Sequence, residues 1–280
     1  MFKRFFDFFI FTSLFIAVCA VLMTYQTTLL FHLPFSFALA GFVFSGSVCS
    51  YNFHWYLTPS VTELQSKKLA WNFSNKNLHL ILFIAGLVGS AVFSLMLIEH
   101  WIWLGVTALA TFLYSAPKIP FYPFTLLRKI AVAKTIYLAF AWMHVTTLLP
   151  LMMSVKQLHQ PEVLFIINRF FFLYAICILF DFRDVEEDRR AGIRSMITYF
   201  SGNGVLGLFR ASLVIFAITA FLLLRFFSTG YVIALLVPGI ILSLLYRKAR
   251  TNFSDYFYYF VLDGLMMLSA PLLLLIKFAR

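Results

Sequence analysis

The stretch ILFDFRDVEEDRRAGIRS, residues 178–195, joins the end of an apolar run to a dense acidic cluster. Five of the chain's 11 acidic residues fall within eight positions of it, namely Asp181, Asp184, Glu186, Glu187 and Asp188. The chain around this cluster is apolar, with a mean hydropathy of +0.91. Charge is costly beside a bilayer, so an acidic cluster at a membrane edge predicts a functional site.

The composition is that of a membrane protein. Charged residues make up 12% of the 280 residues, against about 25% in an average soluble domain. The net charge of +11 does not indicate nucleic-acid binding, because loop lysines and arginines set the orientation of membrane proteins. The three cysteines lie in apolar runs without a metal or redox spacing, which predicts packing roles for Cys19, Cys49 and Cys177.

Apolar segments long enough to cross a bilayer recur along the whole chain. A helix needs about 20 mainly apolar residues for this. Nine segments fit approximately, over residues 5–24, 30–51, 78–98, 101–115, 131–152, 163–180, 204–226, 230–246 and 257–276. No window resembles a soluble domain. We therefore predict one all-α domain over residues 1–280, a polytopic membrane bundle of about nine transmembrane helices.

The distribution of positive charge predicts the orientation of this bundle. With the N-terminus inside, most loop lysines and arginines are cytoplasmic, and the outer loops hold only Lys156, Arg225, Lys277 and Arg280. This asymmetry follows the positive-inside rule. It predicts an integral protein of the cytoplasmic membrane whose acidic cluster lies on the cytoplasmic side.

Three aspartates of the cluster share one face of a predicted helix. Asp181, Asp184 and Asp188 are spaced i, i+3 and i+7, which brings them together at 3.6 residues per turn. Mg²⁺ suits such a face, because it takes one or two carboxylates and fills its other positions with water and phosphate oxygens. Arginines able to neutralise the phosphate follow closely: Arg183, Arg189, Arg190 and Arg194. The alternative is a solvated loop whose acids pair with these arginines.

The cluster resembles the second aspartate-rich motif of the UbiA superfamily of intramembrane prenyltransferases. That motif reads approximately D-x-x-D-x-x-G-D-x-x-x-G-x-[KR]-[ST], and residues 181–195 read D-F-R-D-V-E-E-D-R-R-A-G-I-R-S. The positions that agree are Asp181, Asp184, Asp188, Gly192, Arg194 and Ser195. Glu187 stands where glycine is usual. The family's Y-[ST]-x-P pattern, followed by a lysine, is matched by residues 113–117 and Lys134.

The family's first motif is degenerate in this chain. It usually reads N-D-x-x-D-x-x-x-D at the cytoplasmic end of the second helix, and residues 52–60 read N-F-H-W-Y-L-T-P-S. Asn52 is kept, whereas Phe53, Tyr56 and Ser60 replace the aspartates. The substitute ligands available nearby are Asn52, His54 and Glu63, none of which equals a pair of carboxylates for Mg²⁺. Phosphate could instead be held directly by lysines of the same loop, Lys67, Lys68 and Lys76.

The resemblance implies transfer of an isoprenyl group from an isoprenyl diphosphate to a lipophilic, aromatic acceptor within the membrane, and no nucleic-acid partner. It implies Mg²⁺ as the cofactor, with catalysis and metal binding assigned to Asp181, Asp184 and Asp188. It also implies substrate-binding residues, which are Asn52, Tyr114, Lys134, Arg189 and Arg194.

Two other functions remain open. Because the first motif lacks its aspartates, the chain could bind a prenyl lipid or diphosphate without transferring it. Arg169 and Asp263 lie within predicted spans and require polar partners, which suggests a pair between them. They could also serve as midplane ion groups of a transporter, although the sequence has no evident repeats or paired broken helices.

Overall fold

A computed structural model describes residues 2–58, 67–116, 131–155, 157–190 and 196–279, without the side chains of residues 2, 131–133, 186–190, 196 and 198. Within this part of the chain, helices are the only regular secondary structure. The first six are α1 (Phe2–Phe11), α2 (Leu14–Leu30), α3 (Phe37–Leu57), α4 (Lys67–Ser74), α5 (Lys76–Met96) and α6 (Trp101–Ser115).

The second half of the chain contains the longest helix and two π-helical turns. Helix α7 comprises Ala131–Met143, a π turn over His144–Leu148, and Leu149–Ser154. The helices that follow are α8 (Gln160–Arg190), α9 (Met196–Tyr199), α10 (Gly202–Leu222) and α11 (Thr229–Ala249). Helix α12 begins with a π turn over Phe257–Leu262 and continues as Asp263–Met267 and Ser269–Phe278.

The structure confirms a polytopic membrane helical bundle, for which the predicted count of nine helices is approximate. Within the described residues, six helices are long and apolar enough to cross a bilayer, and α1 with α2 makes a seventh if the bent pair is one span. The other two predicted segments form α3, of 21 residues, and α6, of 15 residues. Helix α6 is shorter than the roughly 20 residues that a full crossing needs.

The first predicted span is not continuous. Helices α1 and α2 meet at a bend of 64°. Between them, Ser13 has a left-handed backbone with φ of 65°. This break leaves backbone groups without helical partners, and the side-chain amide of Asn52 donates a hydrogen bond of 3.0 Å to the carbonyl oxygen of Thr12. A residue from α3 therefore stabilises the bend.

Helix α8 lies at the centre of the bundle. Its middle is an almost fully buried run from Phe172 to Leu179, and it packs against α7, α10 and α11. Helices α3 and α5 form a close pair at one side. The apolar outer face of α5, including Ile81, Val88 and Leu95, is exposed, as expected for a surface that faces lipid rather than water.

A glycine allows α3 and α5 to approach. A Cβ atom on Gly86 would lie 2.6 Å from the Cys49 backbone nitrogen and 2.8 Å from the Ser45 carbonyl oxygen. We expect Gly86→Ala to lower the free energy of unfolding by about 1–3 kcal/mol, because backbone atoms of α3 cannot move individually to relieve the overlap. Gly105→Ala is the control, since that site has nothing within 4 Å and alanine favours helix. Equal unfolding midpoints in detergent for the two variants would contradict the prediction.

Candidate active site

Two of the predicted aspartates lie one turn apart where α8 leaves its apolar stretch. Asp181 is buried, and its Oδ2 accepts a hydrogen bond of 2.7 Å from the Thr135 hydroxyl of α7. The side chain of Asp184 is 30% exposed, and its Oδ2 lies 3.6 Å from Lys134 Nζ. Consecutive residues of α7 thus contact consecutive turns of α8. The structure thereby brings together Asp181, Asp184 and Lys134.

The rest of the acidic cluster is described only in part. The backbone of α8 is helical through Arg190, so Asp188 and Arg189 lie one turn beyond Asp184. Their side chains are outside the description, and Arg194 is outside the described residues altogether. Among the described side chains, no group of three His, Cys, Asp or Glu residues could hold a metal ion. The predicted three-aspartate Mg²⁺ site remains a prediction.

The start of α12 forms the opposite wall of the site. Arg183 of α8 donates a hydrogen bond of 2.9 Å to Asp255 Oδ1 and another to the Tyr259 hydroxyl. The backbone N–H of Lys68 in α4 donates to Asp255 Oδ2 at 2.8 Å. Arg183 also lies 4.0 Å from Asp184 Oδ1. The buried carboxylate of Asp255 therefore fastens α4 and α8 to α12, next to the acidic face.

Lys68 contributes a second cation to this wall. The residue is 2% exposed, and its Nζ lies 3.4 Å from the Tyr259 ring centroid and 4.6 Å from that of Trp55. Burial lowers the pKa of Lys68 below that of an exposed lysine, and Arg183 lowers it further. Asp263 and Asp255 oppose this and favour the charged ammonium. Tyr259 thus has a cation over its ring from α4 and another from α8, whose Arg183 lies 4.3 Å from its centroid.

The other two loop lysines lie elsewhere. Lys67 forms an ion pair with Asp7 of α1 and donates to the Tyr256 hydroxyl at 2.8 Å. Lys76 Nζ lies 5.3 Å from the Tyr56 ring centroid. Of the three lysines that could hold phosphate, the structure places Lys68 beside Tyr259 and Arg183.

The described residues of the degenerate first motif pack against aromatic and polar side chains of neighbouring helices. Phe53 stacks on Phe83 of α5 with centroids 4.9 Å apart, and His54 stacks on Tyr114 of α6 at 5.0 Å. Asn52 is fully buried, and its Oδ1 lies 2.7 Å from His79 Nδ1. Ser60 and Glu63 are outside the described residues. The substrate contacts of Asn52 and Tyr114 stay predictions. In the structure, Asn52 contacts His79 and Tyr114 contacts His54.

These contacts predict a structural role for Asn52 that can be measured. We expect Asn52→Leu to lower the free energy of unfolding by about 1–3 kcal/mol per unsatisfied group, because the Thr12 carbonyl and His79 lose their partner. The measurement is the unfolding midpoint in detergent, followed by titration with an isoprenyl diphosphate. A variant of unchanged stability that no longer binds the diphosphate would instead establish the substrate contact.

The suggested pair between Arg169 and Asp263 is not formed. Arg169 donates a hydrogen bond of 2.9 Å to the Met266 carbonyl and lies 5.3 Å from the Phe172 ring centroid. Its guanidinium thus binds a backbone carbonyl one turn beyond Asp263. In the described part of the chain, no side chain forms a hydrogen bond or ion pair with the buried Asp263. This arrangement gives no support to paired midplane ion groups.

Sequence analysis missed Asp255 and Tyr259. A signal is nevertheless visible, because Asp255, Tyr259 and Asp263 are spaced four residues apart at the start of the last span. Residues at this spacing lie on one helix face, and polar groups on such a face inside a membrane indicate a functional or packing partner.

Fold and site together define a class: a multi-pass helical membrane protein that gathers carboxylates and cations from α4, α7, α8 and α12 at one end. Its fold is similar to that of a UbiA homolog from Aeropyrum pernix K1, with a TM-score of 0.62 and 12% identity over 96% of this chain and 97% of that one. It is also similar to a digeranylgeranylglyceryl phosphate synthase structure, with a TM-score of 0.58 and 14% identity over 98% and 96% of the two chains. The chain therefore has the UbiA fold, as its sequence predicts. No family model and no curated protein sequence matches it.

Proposed function

We propose that this protein transfers an isoprenyl group from an isoprenyl diphosphate to a lipophilic, aromatic acceptor within the membrane. The observation that carries the proposal is the pairing of α7 with α8, in which Lys134 and Thr135 contact Asp184 and Asp181. The fold similarity to a digeranylgeranylglyceryl phosphate synthase supports the same class of reaction. The proposed site faces the cytoplasm, by the positive-inside rule.

We expect the aspartates of α8 to supply oxygen ligands to one Mg²⁺ ion bound together with a diphosphate. Asp184 is partly exposed, and its two ionic contacts are 3.6 and 4.0 Å long, so its oxygens are open to a stronger ligand. Asp184 and Asp188 would hold the ion, and Asp181 would support them from the buried turn behind. Mg²⁺ there would stabilise negative charge on the leaving diphosphate.

The chain's own residues would then bind and orient the donor. Lys134 would contact the diphosphate, with Arg189 and Arg194 as further cations. The apolar helices would hold the isoprenyl chain and exclude water from the reactive carbon. In the transfer, the bond between C1 and the diphosphate oxygen breaks, the acceptor forms a bond to C1, and the acceptor's proton leaves. No covalent intermediate with a protein nucleophile is required.

A second candidate is a relative that binds an isoprenyl diphosphate or a prenyl lipid without transfer. Phe53 stacked on Phe83, and Asn52 bonded within the protein, favour it. Incubation of the purified full-length protein with labelled isoprenyl diphosphates, Mg²⁺ and a panel of aromatic and lipid acceptors separates the two. Product with any acceptor supports transfer, whereas metal-dependent binding without product supports the binder.

A further inference from the structure

Helix α1 has two faces with different surroundings. Asp7, Ile10 and Phe11 are spaced i, i+3 and i+4, so they share one face, and all three are buried against the protein. Phe5 and Phe8 point away from this face, and they are 67% and 38% exposed. Exposed phenylalanines on one side of a helix indicate contact with a partner or with lipid.

The buried face attaches α1 to the end of the bundle that carries the candidate site. Asp7 forms an ion pair with Lys67 of α4 and accepts a hydrogen bond from the Tyr256 hydroxyl, just before α12. Phe11 packs against Trp71 of α4, with ring centroids 5.8 Å apart. Helix α1 therefore lies beside α4 and the start of α12, at the edge of the bundle.

The bend at Ser13 directs α1 along the membrane surface. The axis of α1 is turned by 64° from that of α2, which continues into the bundle for 17 residues. The 10 residues of α1 extend about 15 Å, which is about half the thickness of the hydrocarbon core. A short helix with one apolar and one charged face at a membrane edge is typical of helices that lie in the interface.

Two exposed cations lie in the first turn of α1. They are Lys3 and Arg4. Within the described residues, neither forms an ion pair or a hydrogen bond through its side chain. The acidic residue of the same helix, Asp7, is already paired with Lys67. The helix thus presents positive charge next to an apolar face, which complements a lipid surface with anionic headgroups.

We propose that α1 is an interfacial helix that binds anionic lipid headgroups of the cytoplasmic leaflet through Lys3 and Arg4, with Phe5 and Phe8 among the acyl chains. The choice of leaflet follows from the positive-inside rule, and the proposal does not depend on prenyl transfer. Because the reverse face of α1 holds Lys67, the helix connects the lipid surface to α4.

The test measures hydrogen–deuterium exchange of α1 in the full-length protein, in nanodiscs that hold one copy each. One set of discs contains phosphatidylcholine alone, and the other contains about one-third phosphatidylglycerol. We expect phosphatidylglycerol to slow the exchange of α1 about 10-fold, because an anionic surface attracts two cations. The double substitution Lys3→Gln, Arg4→Gln should abolish this difference. Phe5→Gln should speed the exchange of α1 in both lipids, because it weakens the apolar contact.

The matched control removes two exposed cations from the predicted outer side, through the double substitution Arg225→Gln, Lys277→Gln. It changes the net charge equally and should keep the wild-type response to phosphatidylglycerol. Equal exchange of wild-type α1 in the two lipids would refute the anionic-lipid contact. A response that survives Lys3→Gln, Arg4→Gln would refute the role of these cations. Protection that appears only in discs holding two copies would identify a second chain, rather than lipid, as the partner of α1.

Discussion

Asp184→Ala is expected to lower prenyl transfer by about 10²- to 10³-fold or more, since it removes a group that acts on the charge of the leaving diphosphate. The fold should persist, because the Asp184 side chain is 30% exposed and its ionic contacts are long. The measurement is the initial rate of transfer from a labelled isoprenyl diphosphate, with Mg²⁺ saturating. Asp188→Ala should behave similarly if both residues hold the metal.

Glu162→Ala provides the control for Asp184. Glu162 is also an acidic residue of α8, but it lies at the opposite end and accepts an exposed hydrogen bond of 3.0 Å from the His159 backbone. Its removal should leave transfer unchanged. Comparable rates for Asp184→Ala and Glu162→Ala, at equal folded amounts, would remove the role assigned to Asp184. Intact diphosphate binding by both variants with no transfer by the wild type would favour the binder.

Membrane helices were predictable because each signal is local. A run of about 20 apolar residues determines a span whatever the rest of the chain does, and the predicted segments correspond to helices throughout. The break at Ser13 was not predictable in this way. Next to its left-handed residue, the Thr12 carbonyl accepts a hydrogen bond from Asn52, which lies 40 positions further along the chain. The same contact occupies a residue that the family resemblance assigns to the substrate.

The candidate site shows the same difference between local and long-range signals. Asp181 and Asp184 lie on one helix, so their shared face follows from spacing alone. The opposite wall depends on contacts between distant segments: Arg183 with Asp255, 72 positions apart, and Lys68 with Asp255, 187 positions apart. One sequence cannot reveal such pairs. The four-residue spacing that begins at Asp255 marks a polar helix face but does not identify what contacts it.

Asp255→Ala is expected to be the most destabilising substitution at the site. The ion pair with Arg183 is largely buried, with side-chain exposures of 11% for Arg183 and 5% for Asp255. Removing one partner of such a pair leaves an uncompensated buried charge, which costs about 3–5 kcal/mol. The Lys68 backbone N–H loses its acceptor as well. The measurement is the denaturant-induced unfolding midpoint in detergent.

Asp255→Ala should also lower the rate of prenyl transfer. Arg183 already lies 4.0 Å from Asp184. Without Asp255, we expect Arg183 to move toward the Asp184 carboxylate and to compete for it with the Mg²⁺ ion that would bind the diphosphate. Asp7→Ala is the matched control, because Asp7 pairs with Lys67, whose side chain is 48% exposed. Water can solvate the Lys67 ammonium that remains, so this substitution should cost less than loss of the buried carboxylate that pairs with Arg183. Equal unfolding midpoints and equal transfer rates for the two variants would show that Asp255 does not fasten α4 and α8 to α12.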